Sequence, residues 1–80
     1  MPHKSVLAGE PKLKALGAAL RAARHDRGLS QEDLATDAHV ERSYLGAIER
    51  AEVNVTLIVL TRVCRALKLK PSELLLKAGM

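Results

Sequence analysis

Apolar residues recur at steps of three and four residues over most of the chain, which is the spacing of one buried face of an α-helix. The first such stripe predicts a helix from about Pro11 to Arg27. Its apolar members are Leu13, Leu16, Leu20 and Ala23. Gly28 follows directly, and we expect it to end the helix in the left-handed conformation, which glycine adopts at little cost.

The stretch Ser30–Arg50 predicts two short helices separated by a break at residues 38–40. Ser30 suits the N-cap of the first helix, and Asp33, three residues on, supplies a partial capping box. The apolar residues of the second helix are Tyr44, Leu45 and Ile48. A helix that follows a tight turn and carries arginine and serine in its first turn can present these side chains to base edges in a DNA major groove.

Two further helices are predicted after residue 55, with Thr56 as the N-cap of one and Pro71 in the first turn of the other. The expected inner face of the fourth helix consists of Leu57, Leu60, Val63, Cys64 and Leu67. Both helices carry more apolar residues than one buried face needs, which favours a subunit contact, although a merely apolar surface would give the same pattern. The residues expected at a dimer interface, with the last helix as its main part, are Ile58, Val59, Leu74, Leu75 and Leu76.

Length and composition fit one small all-α domain. The chain has 80 residues, of which 48% are apolar, but only one Tyr and no Phe or Trp, so the core must be aliphatic. Residues 1–10 lack periodicity and are expected to form a flexible leader, which leaves residues 11–80 as the folded domain. The formal net charge of +4 suits a nucleic-acid partner without requiring one.

Several classes of function find little support. Cys64 is the only cysteine and falls at an apolar helical position, which excludes an intramolecular disulfide and favours a structural thiol over a reactive one. With no run long enough to span a membrane and no secretion signal, we expect a cytoplasmic location. No catalytic set of residues is evident, so we expect no enzymatic activity, metal or cofactor. A helix on a membrane surface is disfavoured, because the apolar face of the first helix is needed for the core.

The segments GLSQEDLA (residues 28–35), SYLGAIER (43–50) and TLIVLTRVCRAL (56–67) resemble the lambda-repressor-like (Xre/Cro) helix-turn-helix family. The resemblance covers about residues 12–76. Within the family, the order of the segments and the small size of the chain look most like those of the controller proteins of restriction-modification systems. It implies a five-helix DNA-binding domain with the helix-turn-helix at helices 2 and 3. It also implies a homodimer that acts as a sequence-specific transcriptional regulator on a near-palindromic operator in double-stranded DNA.

The resemblance further implies roles for individual residues. Those matching phosphate-contacting positions are Gln31, Tyr44, Arg50 and Asn54. Those matching positions that face base edges are Arg42, Ser43 and Ala47. Arg24 and Glu49 match an internal ion pair between helices 1 and 3, whereas the residues alone would suggest ordinary exposed charges.

Three departures from the family pattern affect these expectations. His39 stands where the turn commonly has glycine, so it must adopt a left-handed conformation or alter the turn, and a reading as a metal ligand is weak because no second ligand lies nearby. Glu41 replaces the usual Ser or Thr cap of the recognition helix, and we include it among the base-edge candidates because a carboxylate can accept from a cytosine amino group. Ala51-Glu52 replaces a frequent Gly-Lys and removes an expected phosphate contact.

An alternative keeps this fold but makes another protein its main partner, as in an antitoxin that covers a toxin. The apolar residues Ile58, Val59 and Leu76 are consistent with that interpretation.

Overall fold

The computed structural model of the protein describes residues 5–80, and this part of the chain contains five α-helices and no β-strand. The helices are α1 Pro11–Asp26, α2 Gln31–Ala38, α3 Arg42–Glu49, α4 Leu57–Ala66 and α5 Pro71–Lys77. The predicted all-α class and five-helix order are therefore confirmed. The closest packing joins α2 to α4, α1 to α3, α2 to α3 and α1 to α5, so α3 is held between two neighbours.

Local sequence signals set the helix ends. Ser30 Oγ accepts a hydrogen bond from the Asp33 backbone N–H at 2.9 Å, and Asp33 Oδ2 accepts from the Ser30 N–H at 3.4 Å, which completes the predicted capping box. Thr56 Oγ1 accepts from the Val59 N–H at 3.2 Å at the start of α4. Gly28, with φ of +68°, adopts the left-handed conformation expected after α1.

The core is aliphatic, as the composition requires. Its largest fully buried side chains are Leu20, Leu34, Leu45, Val63, Cys64, Leu67 and Leu74. Burial raises the pKa of the Cys64 thiol, so the reactive thiolate form is disfavoured. This environment supports the structural role expected for the single cysteine.

Two apolar residues lie where the sequence pattern did not place them. Leu57, expected on the inner face of α4, is 70% exposed, because the buried stripe of that helix begins only at Leu60. Leu74, expected at a dimer interface, is fully buried within the core, where α5 packs on α1 and α4. The assignment of Leu74 to the interface was therefore wrong, since a side chain enclosed by its own domain cannot contact a second copy.

The segment before α1 contacts the loop that follows α3. The Ser5 N–H donates to the Glu52 carbonyl at 2.6 Å, and the Gly9 N–H donates to the Ala51 carbonyl at 2.8 Å. Residues 5–10 are thus attached to the domain, in contrast to the flexible leader expected for residues 1–10. Residues 1–4 of that predicted leader lie outside the described residues.

Candidate nucleic-acid interface

The turn between α2 and α3 is built around a left-handed residue. His39 has φ of 58° and ψ of 45°, so it adopts the conformation that the missing glycine would have supplied. A non-glycine residue in this region costs roughly 1–2 kcal/mol. The Val40 N–H donates to the Ala35 carbonyl at 3.0 Å, which closes the end of α2 and directs the chain into α3.

The first turn of α3 is exposed, whereas most of the rest of the helix is buried. Glu41, Arg42 and Ser43 are exposed, and Leu45–Ile48 are buried. Glu41 is the N-cap residue but makes no side-chain capping hydrogen bond. The side chains that α3 can offer to a large ligand are therefore concentrated at its N-terminal end, where a recognition helix contacts base edges.

One base-edge assignment was wrong. Ala47 has no exposed surface and belongs to the hydrophobic core cluster. It follows Tyr44 by three residues, and it lies in the buried segment Leu45–Ile48 by which α3 packs on the domain. Its methyl group cannot reach a base while α3 remains in this position.

Arg24 and Glu49 form a two-point ion pair between α1 and the end of α3. Arg24 Nε donates to Glu49 Oε2 at 2.7 Å, and Nη2 donates to Oε1 at 3.0 Å. The remaining Arg24 nitrogen, Nη1, donates to the Leu29 carbonyl at 2.9 Å. The two side chains are only 8% and 2% exposed, respectively. The guanidinium thus links α1, the α1–α2 loop and α3 at one nearly buried point.

The electrostatics of this pair favour its charged form. Burial acts to raise the pKa of Glu49, but hydrogen bonds from Arg24 and Gln31 outweigh it and leave the pKa below its ordinary value. The hydrogen bond to Glu49 is the main reason that the pKa of Arg24 is raised. Both groups remain ionised near neutral pH, so the link between α1 and α3 persists there.

The four residues expected to contact phosphate have different surroundings. Gln31 is half-buried, and its Nε2 donates to Glu49 Oε1 at 3.0 Å, so its amide is oriented by the ion pair. Tyr44 is half-buried, with its ring against the core cluster. Arg50 is exposed and donates to Glu52 Oε1 at 3.1 Å, and Asn54 is exposed in the following loop.

Apolar side chains are exposed at the start of α4 and near the end of α5. Ile58 is 62% exposed and Leu76 is 75% exposed, to which the unexpected Leu57 adds a third. Val59 and Leu75, also expected at a dimer interface, are half-buried and pack partly against the core.

Two glycines, Gly17 and Gly46, have packing roles that were not predicted from the sequence. A Cβ atom added at Gly17 of α1 would lie 2.7 Å from the carbonyl oxygens of Ile48 and Glu49, so α1 and α3 approach here with no room for a side chain. A Cβ atom at Gly46 of α3 would lie 2.9 Å from Arg50 Nη1. A glycine inside a helical pattern is itself unfavourable, and that penalty was the available hint of a packing role.

Two other features are absent from residues 5–80. Nowhere in this range do three His, Cys, Asp or Glu side chains come together as a metal site would require. None of its helices is both long and apolar enough to cross a membrane.

Comparison with protein families gives a match to a model described as "Helix-turn-helix domain", over residues 15–76. The chain belongs to this helix-turn-helix family. Its relatives include the control protein C.SmaI of Serratia marcescens, which is 39% identical over 61 residues, or 76% of this chain and 73% of the relative.

Solved structures of other helix-turn-helix proteins resemble the fold. The restriction-modification controller protein C.AhdI of Aeromonas hydrophila superposes with a TM-score of 0.76 at 42% identity, over 78% of this chain and 94% of that one. The clp gene regulator ClgR of Corynebacterium glutamicum gives 0.82 at 33% identity, over 98% of this chain and 77% of that one. These relatives are regulators, and DNA-binding transcriptional regulation is the function class of this helix-turn-helix protein.

Proposed function

We propose that this helix-turn-helix protein acts as a homodimer that places the first turn of α3 in the major groove of a near-palindromic operator. Arg42 and Ser43 select bases, while Gln31, Tyr44, Arg50 and Asn54 contact phosphates and set the register. The observation that carries the proposal is the exposure of Arg42 and Ser43 at the end of a helix that is otherwise packed into the core. Glu41, exposed beside them, is a further base-edge candidate.

The dimer part of the proposal rests on the exposed apolar residues of α4 and α5, Leu57, Ile58 and Leu76. A two-fold arrangement with recognition helices about 34 Å apart would reach successive major grooves of B-DNA. Val59 and Leu75 would lie at the edge of this interface, since each is only half covered by its own domain. By analogy with the restriction-modification controller protein C.AhdI, the regulated genes would be those of a restriction-modification system. The protein would act in the cytoplasm, where the DNA is.

Selection of bound duplexes from a random pool tests the proposal directly. We expect a two-fold motif, and a salt titration on the selected duplex gives the number of phosphates engaged. Arg42→Ala should then lose about 1–3 kcal/mol of discrimination at one base pair of each half-site. Arg65→Ala, which removes the same charge from an exposed position on α4, is the control. An unchanged preference in Arg42→Ala would show that Arg42 does not read a base.

Sedimentation tests the dimer separately. Ile58→Glu and Leu76→Glu should shift the protein from dimer to monomer, because each would bury a charge in an apolar contact. Val6→Glu, which also replaces a fully exposed apolar residue, should leave the sedimentation unchanged. A monomeric wild type would contradict the homodimer.

A second candidate uses the same exposed apolar residues to bind a different protein. Leu57, Ile58 and Leu76 would then contact a partner such as a toxin. Purification from the native host separates the two: a stoichiometric second protein supports this candidate, whereas a pure homodimer supports the first.

A further inference from the structure

Arg50 and Gln31 converge above the one position of α3 that has no side chain. The Cβ position of Gly46 lies 2.9 Å from Arg50 Nη1 and 3.4 Å from Gln31 Oε1. Arg50 follows Gly46 by four residues, so both lie on the same helix face. Side chains on a helix point back toward its N-terminus, so the path of the Arg50 side chain runs over Gly46.

Two other contacts define the geometry of this convergence. Arg50 Nη2 donates to Glu52 Oε1 at 3.1 Å, which leaves Nη1 as the nitrogen nearest to Gly46. Gln31 Nε2 donates to Glu49 Oε1, so this hydrogen bond orients the amide of Gln31. The guanidinium therefore has the half-buried Glu52 carboxylate on one nitrogen and the oriented Gln31 amide near the other.

We infer that Gly46 is a positioning residue for DNA binding, because the space above it lets Arg50 fold back beside Gln31 and present its guanidinium to the phosphate that Gln31 contacts. The inference rests on the proposed function, which gives Gln31 and Arg50 phosphate contacts without relating them. With alanine at position 46, Nη1 would be closer to the new methyl group than real Cβ contacts allow. The long side chain would swing away at little cost to the fold, so the loss would fall on DNA binding.

The inference predicts opposite effects of Gly46→Ala on stability and on affinity. The melting temperature should rise by roughly 4–8 °C, since alanine is the better helix former. The dissociation constant for the selected operator should increase, and the salt dependence should fall by about one phosphate per bound copy. Operator and scrambled duplexes should be weakened by the same factor, because phosphate contacts carry no sequence information.

A double-mutant cycle with Arg50→Ala identifies the route of the effect. Arg50→Ala alone should weaken binding about tenfold per copy, as for loss of a hydrogen bond to a charged group. In that background, Gly46→Ala should change the dissociation constant by less than about twofold, because its effect passes through Arg50. Arg65→Ala combined with Gly46→Ala is the matched control, and there the two effects should simply add.

Additive effects of Gly46→Ala and Arg50→Ala would overturn the inference, as would unchanged affinity of Gly46→Ala. So would a loss of affinity accompanied by a lower melting temperature, which would indicate disruption of α3. These outcomes require that the wild type binds the selected duplex. A wild type that binds no duplex selectively would instead contradict the proposed function.

Discussion

Replacing Arg24 by methionine should strongly destabilise the domain. The substitution removes three hydrogen-bond donors at once, two to Glu49 and one to the Leu29 carbonyl. It leaves the Glu49 carboxylate, whose side chain is 2% exposed, with the Gln31 amide as its remaining hydrogen-bond partner and Arg21 as a nearby positive charge. Breaking a buried pair from one side costs about 3–5 kcal/mol. A domain of 80 residues has about 4–12 kcal/mol in total, so much of the margin would be lost.

Removing both charges should restore most of that stability. In Arg24→Met/Glu49→Leu no unpaired charge remains, and apolar side chains of similar volume can replace a buried ion pair at little cost. Urea unfolding followed by circular dichroism at 222 nm would give the free energy of unfolding for the wild type, both single variants and the double variant. We expect the double variant to be more stable than Arg24→Met by at least 2 kcal/mol, roughly. If Arg24→Met lowered the free energy of unfolding by less than about 1 kcal/mol, and the effects of the two substitutions simply added, a stabilising role for the ion pair would be refuted.

Three further predictions follow from individual residues. The folded-state pKa of Glu49 is lowered, so its contribution to stability should be present above the pKa of the unfolded state and be lost as the pH falls through the folded-state pKa. Glu49→Gln should therefore reduce the acid sensitivity of the melting temperature in thermal melts. His39→Gly should raise the free energy of unfolding by about 0.5–1 kcal/mol, because glycine relieves the strain of the left-handed conformation. The control is Ala22→Gly at an exposed position of α1, which should lower the free energy of unfolding. Gly17→Ala should lower the free energy of unfolding by about 1–3 kcal/mol, although alanine is the better helix former, because its methyl group would collide with the backbone of α3. A stabilised variant would show that α1 and α3 can move apart at little cost.

Features governed by local chemistry were predictable from the sequence. The Ser30–Asp33 capping box depends on a few neighbouring residues and on backbone geometry, and it is present. For His39 the family resemblance left two alternatives, a left-handed conformation or an altered turn, and the structure has the left-handed one. The contact of Arg24 with Glu49 spans 25 residues and was implied only by the family resemblance. Without that resemblance, nothing in the spacing of two charged residues on different helices indicates that they meet.

The errors share a physical cause. Leu57 and Leu74 were assigned from the pattern of apolar residues along each helix, and Ala47 from its match to a family position that faces base edges. In each case the side of a helix that becomes buried depends on which neighbour covers it. Ala47 is enclosed in the core cluster, and Leu57, the first residue of α4, is left exposed. In helices of seven to ten residues, a single turn at the edge of the contact decides such assignments.

The close approach at Gly17 has a consequence for retargeting this protein to other operators. Gly17 meets α3 at Ile48 and Glu49, whereas Arg42 lies at the other end of the helix. Under the proposed function, exchanging the exposed residues 41–43 would therefore alter the bases chosen, while the docking angle of α3 is inherited unchanged. A library of new specificities built on this scaffold should vary those three positions freely and keep glycine at position 17 in every member.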